Sequence, residues 1–276
     1  MESILFFDID GTLAMPGKLP GAETVSAIRA ARANGHRVLL STGRPEYSIP
    51  EAINAIGFDG GIYCAGGRIV IHGETIFDQP MGSDLSRQII EVLRAFDLSF
   101  NLECAEHNYR YAAPGETLAL DASSAGTELQ RILQMDQNDP HTRRFEDYDG
   151  EPIYKISFRV PSKARFEDVR DRLSGAVKAV CFENLKPDFP LLFCEVSDPK
   201  VNKGGALEMV CRYFDMSVGQ SIAFGDSMND AEILRAAGIG VAMGNGEDRL
   251  KALADRICES CDEDGVAKEL SRLKLI

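Results

Sequence analysis

The chain has little of what several protein classes need. Its 276 residues include no tryptophan and only four histidines, and 30 Lys and Arg face 43 Asp and Glu. The formal net charge of −13 argues against nucleic acid or an anionic membrane as partner, since both bind clustered cations. No apolar run reaches the roughly 18 residues that suggest a membrane span. The histidines show no metal-ligand spacing: His36, His72, His107 and His141.

The cysteines are too scattered to predict a disulfide framework. There are seven, an odd number, and only Cys258 and Cys261 have CxxC spacing, without a second pair or a nearby histidine. Residues 1–3 lack the basic region of a secretory signal, and Ile4–Phe7 is too short for its apolar segment. We therefore expect a cytoplasmic protein with reduced thiols. Its oligomeric state is not predictable from these features.

Both ends of the chain alternate short apolar strands with helical patterns. Such alternation is typical of parallel strands that are covered on both faces. It predicts an α/β fold, a Rossmann-like parallel sheet with helices on both faces. The predicted strands are Ile4–Phe7, Arg37–Ser41, Ile62–Ala65, Ser221–Phe224 and Ile239–Met243, and the predicted helices are Ala22–Asn34 and Asp230–Ala237.

The middle of the chain has a different pattern. Ile153–Val160 alternates like an antiparallel strand with one solvated face. We therefore expect a discontinuous core, 1–80 and 190–276, with an α+β cap domain, 81–189, inserted between its halves. The predicted helices of this domain are Leu85–Phe96, Ser124–Gln134 and Ala164–Ser174.

Three polar motifs follow predicted core strands. They are Asp8–Thr12, Ser41–Arg44 and Gly225–Asp230, and a fourth candidate, Lys203, precedes a helical pattern. In open parallel sheets, ligands bind outside the carboxyl ends of the strands, where neighbouring loops converge. The sequence therefore predicts that these motifs meet at one crevice.

The residue types in these motifs suit phosphoryl transfer. Asp8, Asp10 and Asp226 would place three carboxylates together, and a hard cation such as Mg²⁺ relieves their repulsion. One carboxylate can attack phosphorus, and a second can protonate the leaving oxygen and later deprotonate water. Three further groups could hold the phosphate, namely the Thr42 hydroxyl, the Gly43 amide and the Lys203 ammonium.

The four motifs together resemble those of the haloacid dehalogenase-like superfamily of phosphohydrolases. Asp8–Leu13 is similar to the first motif, Ser41–Arg44 to the second, Val201–Gly204 to the third and Gly225–Asp230 to the fourth. The insertion after the third core strand resembles the large cap of the Cof-type subfamily. The resemblance implies a phosphatase in which the cap determines substrate specificity.

The resemblance also implies roles by matching position. Asp8 would be the nucleophile and a Mg²⁺ ligand, Asp10 the general acid/base and a ligand through its backbone carbonyl, and Asp226 would complete the metal site. A carboxylate at position 10, where superfamily ATPases carry Lys-Thr after the nucleophile, implies rapid hydrolysis of the phosphoenzyme. The remaining implied roles are phosphate binding by Thr42 and Lys203, and orientation of the phosphate or the lysine by Asn229 and Asp230.

One position departs from the subfamily pattern. Relatives typically have Asn-Gly after the third strand, where this chain has Ala65-Gly66-Gly67. The replaced asparagine is expected near the phosphate or the cap hinge. The departure affects substrate positioning and leaves the nucleophile, acid/base and metal positions intact.

The leading hypothesis is a Mg²⁺-dependent phosphatase for small phosphorylated metabolites, such as sugar phosphates or cofactor phosphates, through an aspartyl-phosphate. A phosphotransferase or mutase on the same core, and a catalytically silent protein that binds a phosphorylated ligand, remain alternatives. The physiological substrate is not predictable. The polar cap residues that are candidates for contacting the leaving group are Glu103, Glu106, Asn108, Arg110 and Lys155, with His107 as a further possibility.

Overall fold

The chain divides into two compact units. The computed structural model describes residues 2–114, 140–173, 177–182 and 191–276. The first unit comprises 1–44, 48–78 and 201–276, and the second unit comprises 45–47 and 79–200. The sequence placed the boundaries at 80/81 and 189/190, whereas the structure keeps the segment up to residue 200 with the second unit. The predicted helix Ser124–Gln134 lies outside the described residues.

The first unit is built on an eight-stranded sheet. Its strands are β1 (Ile4–Phe7), β2 (Arg37–Ser41), β3 (Gly60–Tyr63), β4 (Arg68–Ile71), β5 (Glu74–Asp78), β12 (Ser221–Gly225), β13 (Ile239–Ala242) and β14 (Arg256–Ile257). They lie in the order β14-β13-β12-β1-β2-β3-β4-β5. All neighbouring pairs are parallel except β3–β4 and β4–β5, which form an antiparallel edge. The predicted parallel α/β sheet is confirmed, and the antiparallel edge is an addition to it.

Helices cover this sheet. The helix Ala22–Ala33 ends one residue earlier than predicted, and the chain leaves it through Gly35, whose φ of +93° suits glycine. The other helices of the first unit are Glu51–Asn54, Lys203–Tyr213, Ala231–Ala236, Asp248–Lys251 and Gly265–Arg272. No helix among the described residues is both long and apolar enough to cross a bilayer.

The strand β1 is the centre of the apolar core. All four of its residues are fully buried, and it pairs with β12 on one side and β2 on the other. The aromatic rings of Phe7 and Phe224, which are register partners in β1 and β12, stack with their centroids 5.1 Å apart. Because three parallel strands end side by side here, the residues that follow them emerge at one edge.

The end of β3 differs from the prediction. The expected strand Ile62–Ala65 begins at Gly60 and ends at Tyr63, because Cys64 and Ala65 adopt left-handed backbone conformations, with φ of +52° and +56°. Such a conformation cannot continue a strand. The Ala65 N–H donates to the Thr42 carbonyl across 3.1 Å, so the turn supports the second motif. Asparagine tolerates this backbone region better than alanine.

In its described part, the second unit contains a six-stranded sheet. Its strands are β6 (Phe100–Cys104), β7 (Asn108–Tyr111), β8 (Thr142–Arg144), β9 (Ile153–Val160), β10 (Lys178–Cys181) and β11 (Leu192–Ser197), in the order β10-β11-β9-β6-β7-β8. The strand β9 has the predicted bounds and pairs antiparallel with β6 and β11. This pairing is what places 191–200 with the second unit. The helices among the described residues of this unit are Ser83–Ala95 and Lys163–Arg172, where Leu85–Phe96 and Ala164–Ser174 were predicted.

One face of this second sheet is apolar and the other is polar. Phe100, Leu102, Ile156 and Phe158 belong to a buried core together with residues of the two helices, among them Ile89 of Ser83–Ala95. Residues at the alternate positions of the same strands are polar, as the period of two in a strand requires. The inserted segment is thus an α+β unit with its own core.

The left-handed conformation at Ala65 generates a stability prediction. We expect Ala65→Asn to raise the free energy of unfolding by up to about 1 kcal/mol, because Asn accepts a positive φ at lower cost. Ala65→Val should lower it by about 1–3 kcal/mol, since a β-branched residue is strained there. Urea unfolding of the two variants beside wild type measures both effects. A Val variant as stable as wild type would contradict the backbone argument.

Candidate active site

The first motif lies at the carboxyl end of the central strand. The Asp8 N–H donates to the Phe224 carbonyl across 3.1 Å, so strand pairing continues through this residue and holds its backbone rigidly. Asp8 and Asp10 are 3% and 4% exposed. The chain then turns at Gly11, with φ of +86°, where an added Cβ would lie 2.2 Å from Asp226 Oδ2. A side chain at position 11 is therefore excluded by the Asp226 carboxylate.

The fourth motif forms a tight turn after β12. The backbone N–H groups of Asp226 and Ser227 donate to Asp230 Oδ2 across 3.1 and 3.4 Å. A Cβ at Gly225 would lie 2.5 Å from the Asp230 Cβ, so the strand end packs directly on this side chain. The Ser227 hydroxyl donates to Asn229 Oδ1 across 2.7 Å and orients that buried amide. The turn thereby presents the Asp226 carboxylate towards the first motif.

Three carboxylates from the two motifs form one cluster. Among the described residues, Asp8, Asp226 and Asp230 each offer an oxygen within 4.8 Å of the others, and all three are buried. Carboxylate oxygens are the ligands that Mg²⁺ prefers, so this donor set fits a hard divalent cation. The side chain of Asp10 lies elsewhere, against Arg44. Asp230, expected only to orient the phosphate or the lysine, is thus part of this candidate donor set.

Lys203 compensates part of this negative charge. Its ammonium donates to Asp8 Oδ1 across 2.9 Å and to Asp230 Oδ1 across 2.5 Å, and the side chain is 1% exposed. Burial by itself would lower the pKa of Lys203, but the two carboxylates outweigh burial and raise the pKa above its ordinary value. The lysine is therefore a permanent cation between the nucleophile candidate and the fourth motif.

The start of a helix fixes the lysine. Lys203 is the first residue of Lys203–Tyr213, and the Asn202 side chain caps this helix by accepting from the Gly205 N–H across 2.8 Å. A Cβ at Gly204 would lie 2.7 Å from the Glu232 carbonyl oxygen, so only glycine lets the two helices approach this closely. Asn202 and Gly204 therefore help to fix the position of the Lys203 ammonium group.

The second motif lies beside the first. The Thr42 N–H donates to the Ile62 carbonyl across 2.9 Å, and the Thr42 hydroxyl accepts from the Arg44 N–H across 3.1 Å. Thr42 is 1% exposed, and Gly43 is also buried. Both candidates for phosphate binding thus sit on a backbone that the sheet fixes.

Two residues near the site received no individual role from the sequence. Arg44 binds Asp10 through two hydrogen bonds, and its motif placed it near the crevice without naming a partner. Asn245 donates to the Gly11 carbonyl and accepts from the Cys261 N–H, each across 2.8 Å, and so ties the first-motif turn to a distant loop. No local signal marks Asn245, because its partners are far away in the chain.

The polar face of the second sheet contains a buried ion cluster. The Lys155 ammonium lies 3.3 Å from Glu103 Oε2 and 2.5 Å from Glu195 Oε1, with both carboxylates at most 8% exposed. In the neighbouring row, Asn101 and Ser157 are paired across β6 and β9 and are buried. We call these five residues the polar cap face.

The other predicted cap candidates lie in different surroundings. Asn108 is buried on β7 opposite Glu103, Arg110 is half-buried, and Glu106 is exposed. His107 is paired with Glu151, with 2.8 Å between Nδ1 and Oε2. The structure thus separates Lys155, Glu103 and Asn108, which are enclosed, from Glu106, which is at the surface.

The charge balance at Lys203 generates a second prediction. Lys203→Met leaves two buried carboxylates without their cation, so we expect the free energy of unfolding to fall by about 3–5 kcal/mol. The control is Lys18→Met, which removes a pair whose side chains are 61% and 57% exposed and should change stability little. Urea unfolding in EDTA measures both. Equal losses in the two variants would contradict the role given to the buried pair.

Known proteins match the sequence of this chain over almost its whole length. The family model of haloacid dehalogenase-like hydrolases matches residues 5–270. A putative phosphatase of Bacillus subtilis, YkrA, is 25% identical over 99% of this chain and 99% of its own length. The 5-amino-6-(5-phospho-D-ribitylamino)uracil phosphatase YitU of the same organism is 27% identical, over 97% and 96%.

The fold has a match of equal extent among solved structures. A solved structure of BT1666 from Bacteroides thetaiotaomicron superposes on this chain with a TM-score of 0.81 at 24% identity. The match covers 100% of this chain and 96% of that one, and BT1666 is described there among phosphatases of the haloalkanoate enzyme superfamily. The predicted resemblance to a phosphatase of this superfamily is confirmed. The match of the family model to almost the whole chain shows that this protein belongs to the haloacid dehalogenase-like hydrolases.

Proposed function

We propose that this protein is a Mg²⁺-dependent phosphatase that hydrolyses small phosphate monoesters through an aspartyl-phosphate on Asp8. The observation that carries the proposal is the buried cluster of Asp8, Asp226 and Asp230 with Lys203 bound to two of its members. The cluster joins a rigidly held carboxylate to a cation and a set of oxygen ligands. These are the parts that phosphoryl transfer requires.

The cluster supports a metal role for Asp8 and Asp226, with Asp230 close to both. When bound, Mg²⁺ would neutralise charge on the phosphate oxygens and position them for in-line attack. Lys203 and Thr42 would hold other phosphate oxygens, the lysine by charge and the threonine by hydrogen bonding, together with the Gly43 amide. Asn229 would orient the phosphate from the fourth motif.

The reaction would proceed in two steps. Asp8 attacks phosphorus, the bond between phosphorus and the ester oxygen breaks, and Asp10 donates a proton to the leaving oxygen. Water then attacks the phosphorus of the acyl phosphate, Asp10 accepts its proton, and inorganic phosphate and the free Asp8 carboxylate result. Asp10 suits the role of general acid and base because its side chain is buried but is not one of the three clustered carboxylates.

We propose that the polar cap face binds the organic part of the ester. Asn101 Oδ1 and Ser157 Oγ are buried and have no hydrogen-bond partner within the described part of the chain, a state that costs free energy unless a ligand group fills it. Lys155, Glu103 and Glu195 add donors and acceptors in the adjoining row. Such a face suits a polyhydroxylated or amide-bearing group, as in a sugar or cofactor phosphate. YitU, by its name, acts on an ester that carries a ribityl chain and a uracil ring.

The central test measures phosphate release from a panel of small phosphate esters. We expect turnover with Mg²⁺, loss of turnover in EDTA, and background rates for Asp8→Asn, because an amide cannot attack phosphorus. The control is Asp84→Asn, which changes a carboxylate that is 95% exposed and should behave as wild type.

Other results of the same test would favour the alternatives. An isomerised or transferred phosphate ester without free phosphate would indicate a mutase or phosphotransferase. Thermal stabilisation by a phosphate ester without any turnover would indicate a silent binding protein. Equal activity of wild type and Asp8→Asn would exclude the aspartyl-phosphate mechanism.

The polar cap face generates a separate prediction. For the best ester of the panel, Asn101→Ala and Ser157→Ala should each raise KM by about two- to tenfold, the effect of one lost hydrogen bond. Inhibition by inorganic phosphate should stay unchanged, since phosphate lacks the organic part. Glu106→Ala, at an exposed position of the same unit, is the matched control. Unchanged KM values in both variants would remove this face from the substrate site.

A further inference from the structure

Arg44 binds both carboxylate oxygens of Asp10. Its Nε donates to Oδ2 and its Nη2 to Oδ1, each across 2.7 Å. The two side chains are 11% and 4% exposed. Two parallel charge-assisted hydrogen bonds from a planar guanidinium fix the direction of a carboxylate as well as its position. Asp10 is therefore held in one orientation.

Arg44 is itself anchored by groups other than Asp10. Its Nη1 donates to the Ser48 carbonyl across 2.9 Å, its backbone N–H donates to the Thr42 hydroxyl, and its carbonyl accepts from the Cys64 N–H across 3.0 Å. All of these residues belong to the first unit. The backbone of Arg44 and its Nη1 group thus have partners other than Asp10.

The two candidate catalytic carboxylates have separate cations. Asp8 shares Lys203 with Asp230, whereas Asp10 is bound by Arg44. The side chain of Asp10 is therefore oriented independently of the lysine and the metal cluster.

We infer that Arg44 is a positioning residue that acts through Asp10, an inference that rests on the proposed phosphatase function. In the first step a proton passes from Asp10 to the ester oxygen as the bond from that oxygen to phosphorus breaks. In the second step a proton passes from water to Asp10 as the water oxygen bonds to phosphorus and the bond from phosphorus to Asp8 breaks. Both transfers occur at the same reacting position, so one fixed direction of the Asp10 carboxylate serves both.

A competing role for Arg44 is direct binding of the phosphate group. The three side-chain bonds use three of the five guanidinium N–H groups, so that role does not require Arg44 to leave Asp10. The two roles predict different effects of replacing Arg44. Loss of a phosphate ligand weakens binding of every ester and of inorganic phosphate, whereas loss of acid positioning matters most when the leaving group needs a proton.

Two aryl esters of nearly the same shape separate these roles. Phenyl phosphate has a leaving group that requires protonation far more than that of p-nitrophenyl phosphate. We expect Arg44→Gln to lower kcat/KM about 10- to 100-fold on phenyl phosphate, part of the usual contribution of a general acid. On p-nitrophenyl phosphate the loss should be several times smaller. The inhibition constant of inorganic phosphate should be unchanged.

Two further variants complete the experiment. Arg44→Lys should fall between wild type and Arg44→Gln, because one ammonium cannot hold both oxygens in a plane. Arg29→Gln removes an arginine of the same unit that binds only the backbone carbonyls of Ala55 and Ile56, and it should match wild type on both esters. If Arg44→Gln fails to fold by circular dichroism, Arg44→Lys decides the question.

The possible results are distinct. Equal losses on the two esters, or weaker inhibition by inorganic phosphate, would overturn the inference and assign Arg44 to phosphate binding. Wild-type behaviour of both Arg44 variants would also overturn it. If the wild-type enzyme with Mg²⁺ hydrolyses neither ester, the proposed function fails first, and the inference fails with it.

Discussion

The buried ion pairs of Lys203 with Asp8 and Asp230 are the contacts on which the rest of the site depends. Three carboxylates within 4.8 Å of one another repel strongly when buried, and a buried charge without a partner is costly. The lysine offsets part of this repulsion, and the remaining oxygen ligands suit a divalent cation. The helix that carries Lys203 is capped by the Asn202 side chain, and its Gly204 packs closely against the neighbouring helix.

The sheet explains how residues that are far apart in sequence reach this lysine. The strands β2, β1 and β12 are adjacent and parallel, so Thr42, Asp8 and Asp226 emerge together at their carboxyl ends. Close packing then defines the turns, because a Cβ at Gly11 or Gly225 would collide with an acidic side chain. The Arg44–Asp10 pair lies beside the cluster with its own anchors. The site thus has two parts on one sheet edge, a carboxylate cluster with Lys203 and an Arg44–Asp10 pair.

The second unit uses the same physical rules for a different surface. Alternation along β6 and β9 places Phe100 and Ile156 in an apolar core and Asn101 and Lys155 on the opposite face. On that face Lys155 lies between Glu103 and Glu195 and offsets part of their charge. The Asn101 and Ser157 side chains keep unused hydrogen-bonding capacity among the described residues. A buried surface of this kind discriminates ligands by their hydrogen-bonding groups, since a mismatched group leaves polar atoms unsatisfied.

The sequence by itself determined the α/β class and the four motifs, because apolar periodicity and strand-end carboxylates are local signals. The bounds of β1 and β9 were correct for that reason. Only the tertiary structure decided that Asp230 joins the carboxylate cluster, that Arg44 binds Asp10 and that 191–200 lies with the second unit. The structure also shows that β3 ends at Tyr63, in a left-handed turn at Cys64 and Ala65 that neither residue type predicts. These features arise from contacts between residues distant in the chain, and no local pattern encodes which partners will meet.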